Sequence, residues 1–263
     1  MNLKYNEYLL LNQEGIFPGP GESEEEFGLR VARLRTPIPL PGCPLSQEDW
    51  EEAHHLTQPL FDMKPAWVPA FYQDKKLSFW EAAAVWDCEG RTVVQLRKRF
   101  AHGRWGFVRR AEVLAHEAAH ASRMAFQENR FEEVISYQTS RLAWRRWLGP
   151  LFRHPWEAVL CVFAAAIGWM LGILGALALA LILPWVPFFF FLIRLSRDQF
   201  IFHRCLVKLR SLLNNPEHAL AVVLRLTDRE IILFSRADKE EITAYVREQQ
   251  ELRWKIISSY FYA

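Results

Sequence analysis

Hydrophobic and polar positions follow three regimes along this chain. Up to about residue 156, short helical and alternating patterns are punctuated by prolines. From Ala158 to Ile193, thirty-six consecutive residues contain no Asp, Glu, Lys or Arg, and from residue 195 a mixed, helical spacing resumes. In the first regime Ser23 with Glu26 three residues on predicts a capping box for a helix reaching about Leu34, and Ser46 opens a second helix whose first turn, QEDWEE, is acidic. TPIPLPGCP and KPAWVPAFY carry prolines that exclude regular structure and aromatics suited to packing on a neighbour. From Phe79, FWEAAAVW reads as a third helix ended by a turn at Asp87 to Gly90, and RTVVQLRKRF after it alternates as a strand. Arg109 to Tyr137 then reads as helical, with Val113, Leu114, Ala118, Ala121 and Met124 on its apolar side and Arg110, Glu112 and Arg123 elsewhere.

The uncharged block is too long for a soluble protein's buried helix. As one helix it would span about 54 Å, against a hydrocarbon core of about 30 Å. Gly172 and Gly175 lie at its middle and Pro184 and Pro187 interrupt its second half, so the pattern predicts a hairpin of two short or kinked membrane helices. Arg141, Arg145, Arg146 and Arg153 precede the block, while Arg194, Arg197, Arg204, Lys208 and Arg210 follow it with Asp198 alone opposing them. Two basic flanks satisfy the positive-inside rule only if both lie on the cytoplasmic face, which a hairpin permits and a single span does not. Trp144, Trp147, Trp156 and Trp185 suit the interfacial aromatic belt. Beyond the block, residues 195–263 read as soluble helices broken at Asn214-Asn215-Pro216 and near Thr227-Asp228, ending in a helix from about Lys239 to Ser258 with an apolar stripe of Ile242, Val246, Leu252 and Ile256. The organisation expected is an N-terminal domain over 1–156, a transmembrane hairpin over 157–194 and a C-terminal helical segment over 195–263. The fold class is mainly α with a small sheet.

Composition narrows the partners. In 263 residues, 32 Lys and Arg against 30 Asp and Glu give a net charge of +2, and no long basic run is present, so nucleic acid is not an expected partner. The lipid bilayer is. Cys43, Cys88, Cys161 and Cys205 form no C-x-x-C pair and fit free thiols in a reducing compartment. The start, MNLKYNEYLLLNQEGIF, is too polar around its short apolar stretch for a secretory signal, so the internal block is the expected membrane-targeting segment.

One motif carries chemistry. His116-Glu117-Ala118-Ala119-His120 is an H-E-x-x-H on a predicted helix, and the spacing of four places both imidazoles on one face, where two nitrogens can bind one ion at about 2.0 to 2.1 Å. Glu117 faces slightly aside, where a carboxylate can take a proton from water and return it to a leaving amine. Zinc suits such a set, since it accepts three protein ligands and a water and lowers the pKa of that water to about 7.

The strand RTVVQLRKRF, the helix AEVLAHEAAHASR and the downstream FEEVISY together resemble the zincin metallopeptidases of the branch whose third zinc ligand is a glutamate on a following helix. The resemblance implies a zincin-like α+β domain, a Zn2+ cofactor, a peptide or protein substrate, and a strand lining the cleft before the H-E-x-x-H helix, to whose edge substrate backbone can add. It implies His116 and His120 as ligands and Glu117 as general base. Glu132 and Glu133 lie twelve and thirteen residues beyond His120, with room for the helix to end around Glu128-Asn129 and a second to return. Glu133 is the expected third ligand and Glu132 the alternative; Tyr137, one turn after Glu133, is positioned to donate to an oxyanion. Membrane-bound proteases of the HtpX and prenyl-protein type also place H-E-x-x-H before a hairpin, with a later S-R-x-x-E-x-x-A-D. Here Ser196-Arg197 begins that pattern but Phe200 stands at the glutamate position, leaving Asp198 or His203 as substitutes. Arg123 is suited to steadying a carboxylate or to a surface salt bridge. The remaining histidines read as solvated or capping groups. Against catalysis stands a membrane-anchored scaffold in which this helix is structural, supported by the proline-rich start and the acidic Glu22 to Glu26 patch. Convergence of His116, His120 and a carboxylate beside an open groove favours the enzyme.

Overall fold

The computed structural model describes residues 5–78, 81–88 and 90–262. The chain is mainly helical, 65% helix, with a small sheet and two helices long and apolar enough to cross a membrane. The N-terminal part comprises α1 (Tyr5–Gln13), α2 (Glu24–Leu34), β1 (Cys43–Pro44), α3 (Gln47–Phe61), β2 (Ala70–Tyr72), β3 (Ala83–Asp87), β4 (Thr92–Leu96), β5 (Arg104–Trp105), β6 (Val108–Arg109), α4 (Arg110–Arg123), α5 (Glu132–Ser136) and α6 (Ala143–Leu148). The apolar region forms α7 (Pro155–Ile173), α8 (Leu177–Ile182) and the first part of α9 (Trp185–Leu212). Five shorter helices follow: α10 (Ala219–Leu224), α11 (Asp228–Arg236), α12 (Lys239–Glu248), α13 (Leu252–Ile257) and α14 (Ser259–Tyr262).

Both expected N-caps form. Ser23 and Glu26 close a reciprocal capping box on α2, and Ser46 does the same with Asp49 on α3. Two expectations are corrected. The alanine-rich segment after Phe79 is not a helix: Ala83–Asp87 pairs antiparallel with β4 along its whole length, and the cross-strand bond from Trp86 Nε1 to Gln95 Oε1 (3.0 Å) pins the register. Pairing with a fully buried neighbour outweighs alanine's modest helical preference; Phe79 and Trp80 lie outside the described residues. Among the described residues the sheet order is β1-β2-β4-β3, so β3 is an edge and β4 is interior. The second correction is to the Arg109 to Tyr137 helix, which ends at Arg123, passes through a 3-10 turn and is stopped by Gln127 in the left-handed region (φ 53°) before α5 begins.

The hairpin takes the expected form. The 19 residues of α7 rise about 28 Å, close to a hydrocarbon core. Gly175, at φ +82°, turns the chain, and the return through α8 and α9 is broken at Pro184. A Cβ on Gly168 would meet Pro184 Cγ at 2.8 Å, so the two arms approach closely at this glycine. On the hairpin's outside Trp169, Leu174 and Leu181 are more than 70% exposed, part of an apolar surface fit for lipid.

Residues on either side of the hairpin share one core. Tyr8, Phe17 and Phe27 pack in the same cluster as Phe131, Ile135, Phe202, Leu209, Val222, Phe234 and Ile257. The stripe predicted on the last helix is buried as expected, but that helix is divided between Glu248 and Leu252 into α12 and α13.

Candidate metal centre

Helix α4 lies between two hydrophobic clusters. Val113, Leu114, Ala115, Ala118 and Ala121 pack against Val94, Leu96, Phe100 and Trp50 on one side, while Ala119 joins the larger core. Alanine at these positions lets the helix sit close to its neighbours, and the strip of His116, Glu117 and His120 faces a groove. That groove, of about 860 Å³, has as its other wall Glu81 and Ala82 with Ala83 to Val85 of the edge strand β3. The cleft-lining strand is therefore β3 and not the RTVVQLRKRF strand, whose residues Thr92–Leu96 are buried inside the sheet.

Helix α5 brings in the carboxylates. Phe131, Val134 and Ile135 are buried in the larger core, and this spacing turns Glu132 and Glu133 towards α4. The start of α5 is held from a distance: Asp228 accepts from the backbone N–H of Arg130 (3.0 Å) and of Phe131 (3.3 Å). Arg123, expected at a surface salt bridge or beside a carboxylate, is 1% exposed and donates to the carbonyls of Leu224 (2.6 Å) and Leu226 (2.9 Å), with Glu128 at 3.5 Å. It ties the site helix to the C-terminal segment.

His116, His120 and Glu133 converge. His116 Nε2 and His120 Nε2 are 3.1 Å apart, and Glu133 oxygens lie 3.6 Å from the first and 3.5 Å from the second. Four ligands around zinc at about 2.0 to 2.1 Å have tetrahedral edges of about 3.3 to 3.4 Å, and the three separations straddle that value. Glu132, the alternative ligand, points elsewhere: its Oε1 is 2.8 Å from His120 Nδ1. It holds the ring so that Nε2 faces His116 and Glu133, the carboxylate–histidine pairing that orients a metal ligand. The backbone carbonyl of Ser136 accepts from the His116 ring. Asp198 is paired instead with Arg130 (2.9 Å) and Arg153, and His203 is exposed on α9, so neither joins the cluster.

The electrostatics match this arrangement. Burial drives His116 well below the ordinary histidine value, with the charges of His120 and Arg145 acting the same way. His120 moves oppositely: burial disfavours its charge, but Glu133 and Glu132 outweigh burial and raise it to about 9. Burial raises Glu133, opposed by His120 and aided by Glu132. Glu117, 8% exposed, is raised to about 7, chiefly by burial, with His120 opposing and Glu133, Glu132 and Glu81 adding to the rise.

Tyr137 stands edge-on to His116, with ring centroids 4.6 Å apart, and burial followed by the Glu133 charge pushes its hydroxyl up to about 12. Gly149 makes room for it: a Cβ there would fall 2.3 Å from Tyr137 Cε1. Arg145, read from sequence only as a membrane-flanking charge, lines the groove with its guanidinium 5.8 Å from the Tyr137 ring and 3.4 Å from Glu112 Oε2. Glu112, one turn before His116, also accepts from Ser140 Oγ (3.3 Å). The sequence signals for Arg145 and Glu112 are only a charge in a basic run and a helix carboxylate, neither of which distinguishes them.

No family model, curated protein or solved structure matches this chain.

Proposed function

We propose that this protein is a membrane-anchored, zinc-dependent metallopeptidase with a zincin-like catalytic domain on the cytoplasmic face. The observation that carries the reading is the approach of His116 Nε2, His120 Nε2 and Glu133 oxygens to within 3.1 to 3.6 Å of one another beside Glu117, at the side of an open groove. Two imidazoles and a carboxylate are a donor set that zinc accepts with a fourth position left for water. When bound, the ion supplies a Lewis acid for the substrate carbonyl and a water acidified to about 7.

The chain's own groups do the rest. β3 offers its free edge to an extended peptide, which would add to the sheet by main-chain hydrogen bonds and lie across the α4 strip. Glu117, with a carboxyl raised to about 7, can accept a proton from the attacking water and later donate it to the departing amide nitrogen, so that the C–N bond breaks to a carboxylate and an amine. Tyr137 keeps its proton across the neutral range and can donate to the developing oxyanion, with Arg145 beside it. Glu132 and Ser136 orient the two imidazoles.

Glu117→Gln removes the proton carrier and leaves the three ligands in place. With peptide libraries as substrate, turnover by the zinc-loaded variant should fall at least about a hundredfold, within the span of general acid–base contributions. Undiminished turnover sinks the mechanism, and turnover absent from wild type as well moves the site to a structural role.

A further inference from the structure

The groove does not end at the ligands. Its wall continues from Tyr137 past Trp144 and Gly149 to Phe152 and Pro155, and Pro155 is the first residue of α7, the first helix able to cross a membrane. Tyr137 touches His116 on one side and fits against Gly149 on another, and Gly149 precedes Pro155 by six residues. Six residues reach at most about 20 Å. The peptide-binding edge, the proposed ligand set and the base of the membrane hairpin therefore share one continuous surface.

That surface is also fixed in height. Glu157, in the first turn of α7 and 1% exposed, is paired with Arg194 of α9 (2.7 Å to Nη2) and accepts from the Arg153 backbone N–H (2.8 Å). Asp198, 3% exposed, pairs with Arg153 and with Arg130, two residues before Glu132. Glu157 and Arg194 thus join the two arms at the base of the hairpin, and Asp198 on α9 fastens that base through Arg130 to the segment that leads into α5. The carboxylates of the site ride on the membrane anchor and not on a flexible linker.

The rim carries aromatics that water alone does not explain. Phe107, at the tip of the β5–β6 turn, and Trp144, on α6, come from separate elements, are 66% and 53% exposed, and touch with ring centroids 5.7 Å apart. Trp147 and Trp156, each more than half exposed, extend the patch towards the start of α7. Such rings suit the headgroup layer, and their continuity with the hairpin supplies the lipid that covers them.

Resting on the peptidase reading, we propose that the groove takes the juxtamembrane segment of a bilayer-anchored polypeptide and cuts it close to the membrane surface. Phe107 and Trp144 dip into the headgroup layer and hold the mouth of the groove at that depth. Inside the bilayer a substrate helix keeps its peptide groups in internal hydrogen bonds, and only the unwound stretch just outside can add to β3. Water adds across the C–N bond of that stretch, leaving a carboxylate on one fragment and an amine on the other.

The test uses the full, zinc-loaded chain in vesicles of phosphatidylcholine and phosphatidylglycerol. One randomised peptide library is presented in three ways: directly after a transmembrane helix, after the same helix with a Gly/Ser spacer of about 40 residues, which reaches about 35 Å, and free in solution. Products are located by mass spectrometry. The anchored forms share the same confinement to the vesicle, so their comparison isolates height above the bilayer. Cleavage of the directly fused library at least about tenfold faster than the spaced one, at sites close to the helix end, is the expected result. Phe107→Ser with Trp144→Ser should bring that ratio towards one. Equal rates for fused and spaced libraries, or a free library cut as fast as the fused one, overturn the membrane-proximal substrate while leaving the peptidase intact. A ratio unchanged in the double variant overturns the depth-setting role of the rim. No cleavage of any library by zinc-loaded wild type removes the peptidase reading and this inference with it.

Discussion

Gly149→Ala is a one-methyl perturbation with a calculable effect on the site. The added Cβ would lie 2.3, 2.4 and 2.7 Å from Cε1, Cδ1 and Cζ of Tyr137, so the ring must withdraw by about 1 Å to regain ordinary contact near 3.5 Å. It has little freedom, because its edge-on contact with His116, at 4.6 Å, lies on the same ring. Overpacking of this kind costs about 1 to 3 kcal/mol. Gly149 has helical backbone angles (φ −52°, ψ −44°), where alanine is otherwise better by about 1 kcal/mol. The two terms partly cancel in the single variant, so a double-mutant cycle with Tyr137→Ala is the decisive measurement. Without the ring the methyl meets no obstacle, and Gly149→Ala should be neutral or stabilising in that background. Denaturant unfolding in detergent should therefore give a coupling of about 1 to 3 kcal/mol, and peptide turnover by Gly149→Ala should fall in the direction of Tyr137→Phe. A coupling indistinguishable from zero, below about 0.5 kcal/mol, would refute the claim that Gly149 exists to seat Tyr137 against His116.

Two further predictions test the surroundings of the site. Glu132→Ala removes the carboxylate on His120 Nδ1 without removing a proposed ligand, so zinc affinity should fall about 10- to 100-fold while the stoichiometry at saturating zinc holds. Because Glu133 and Glu132 raise His120 to about 9, zinc uptake by wild type near neutral pH should release a proton, and affinity should climb with pH up to about 9; competitive titration with a fluorescent chelator measures both. In the C-terminal segment, burial works against the Glu230 charge, but the hydrogen bond and charge of Arg253 win and hold its carboxyl below the ordinary 4.5. Its contribution to stability is complete above about 4.5, the unfolded value, and is lost as pH falls through the lower folded value. Glu230→Gln leaves the Arg253 guanidinium, 2% exposed, with only the more exposed Glu251 at 3.3 Å as an ionic partner, a loss of at most about 3 to 5 kcal/mol. The gap in unfolding temperature between wild type and variant should be level from pH 7 to about 4.5 and narrow only below; a gap that closes between pH 7 and 5 contradicts the assignment.

What the sequence disclosed was what local spacing encodes. The capping boxes at Ser23 and Ser46 form because their partners lie three residues away, and His116 and His120 share a face because one helical turn relates them. Glu133 was reachable because the chain between it and His120 is short; the burial of Phe131, Val134 and Ile135 that turns it towards α4 came only with the structure. The uncharged block announced two long apolar helices by its length. Elements defined by distant partners were not legible. Ala83–Asp87 is a strand because β4 pairs with it, and a run of alanines says nothing of that. Helix α4 ends at Arg123 without a glycine or proline, and the 3-10 turn after it is stopped by Gln127 in the left-handed region. Arg123 and Asp228 look like surface charges, yet one is buried on the carbonyls of Leu224 and Leu226 and the other caps α5 from nearly one hundred residues away.

Everything proposed for this groove depends on His116, His120 and Glu133 holding one zinc ion. Elemental analysis of protein purified in detergent without chelator tests it directly, in wild type and in His116→Ala, Glu133→Ala and Glu132→Ala, each loaded with zinc and desalted. The account predicts near one zinc per chain in wild type, loss of it with His116→Ala and Glu133→Ala, and retention at saturating zinc with Glu132→Ala. Wild type that binds no zinc even when the ion is added back, or binding that survives loss of both His116 and Glu133, would contradict it.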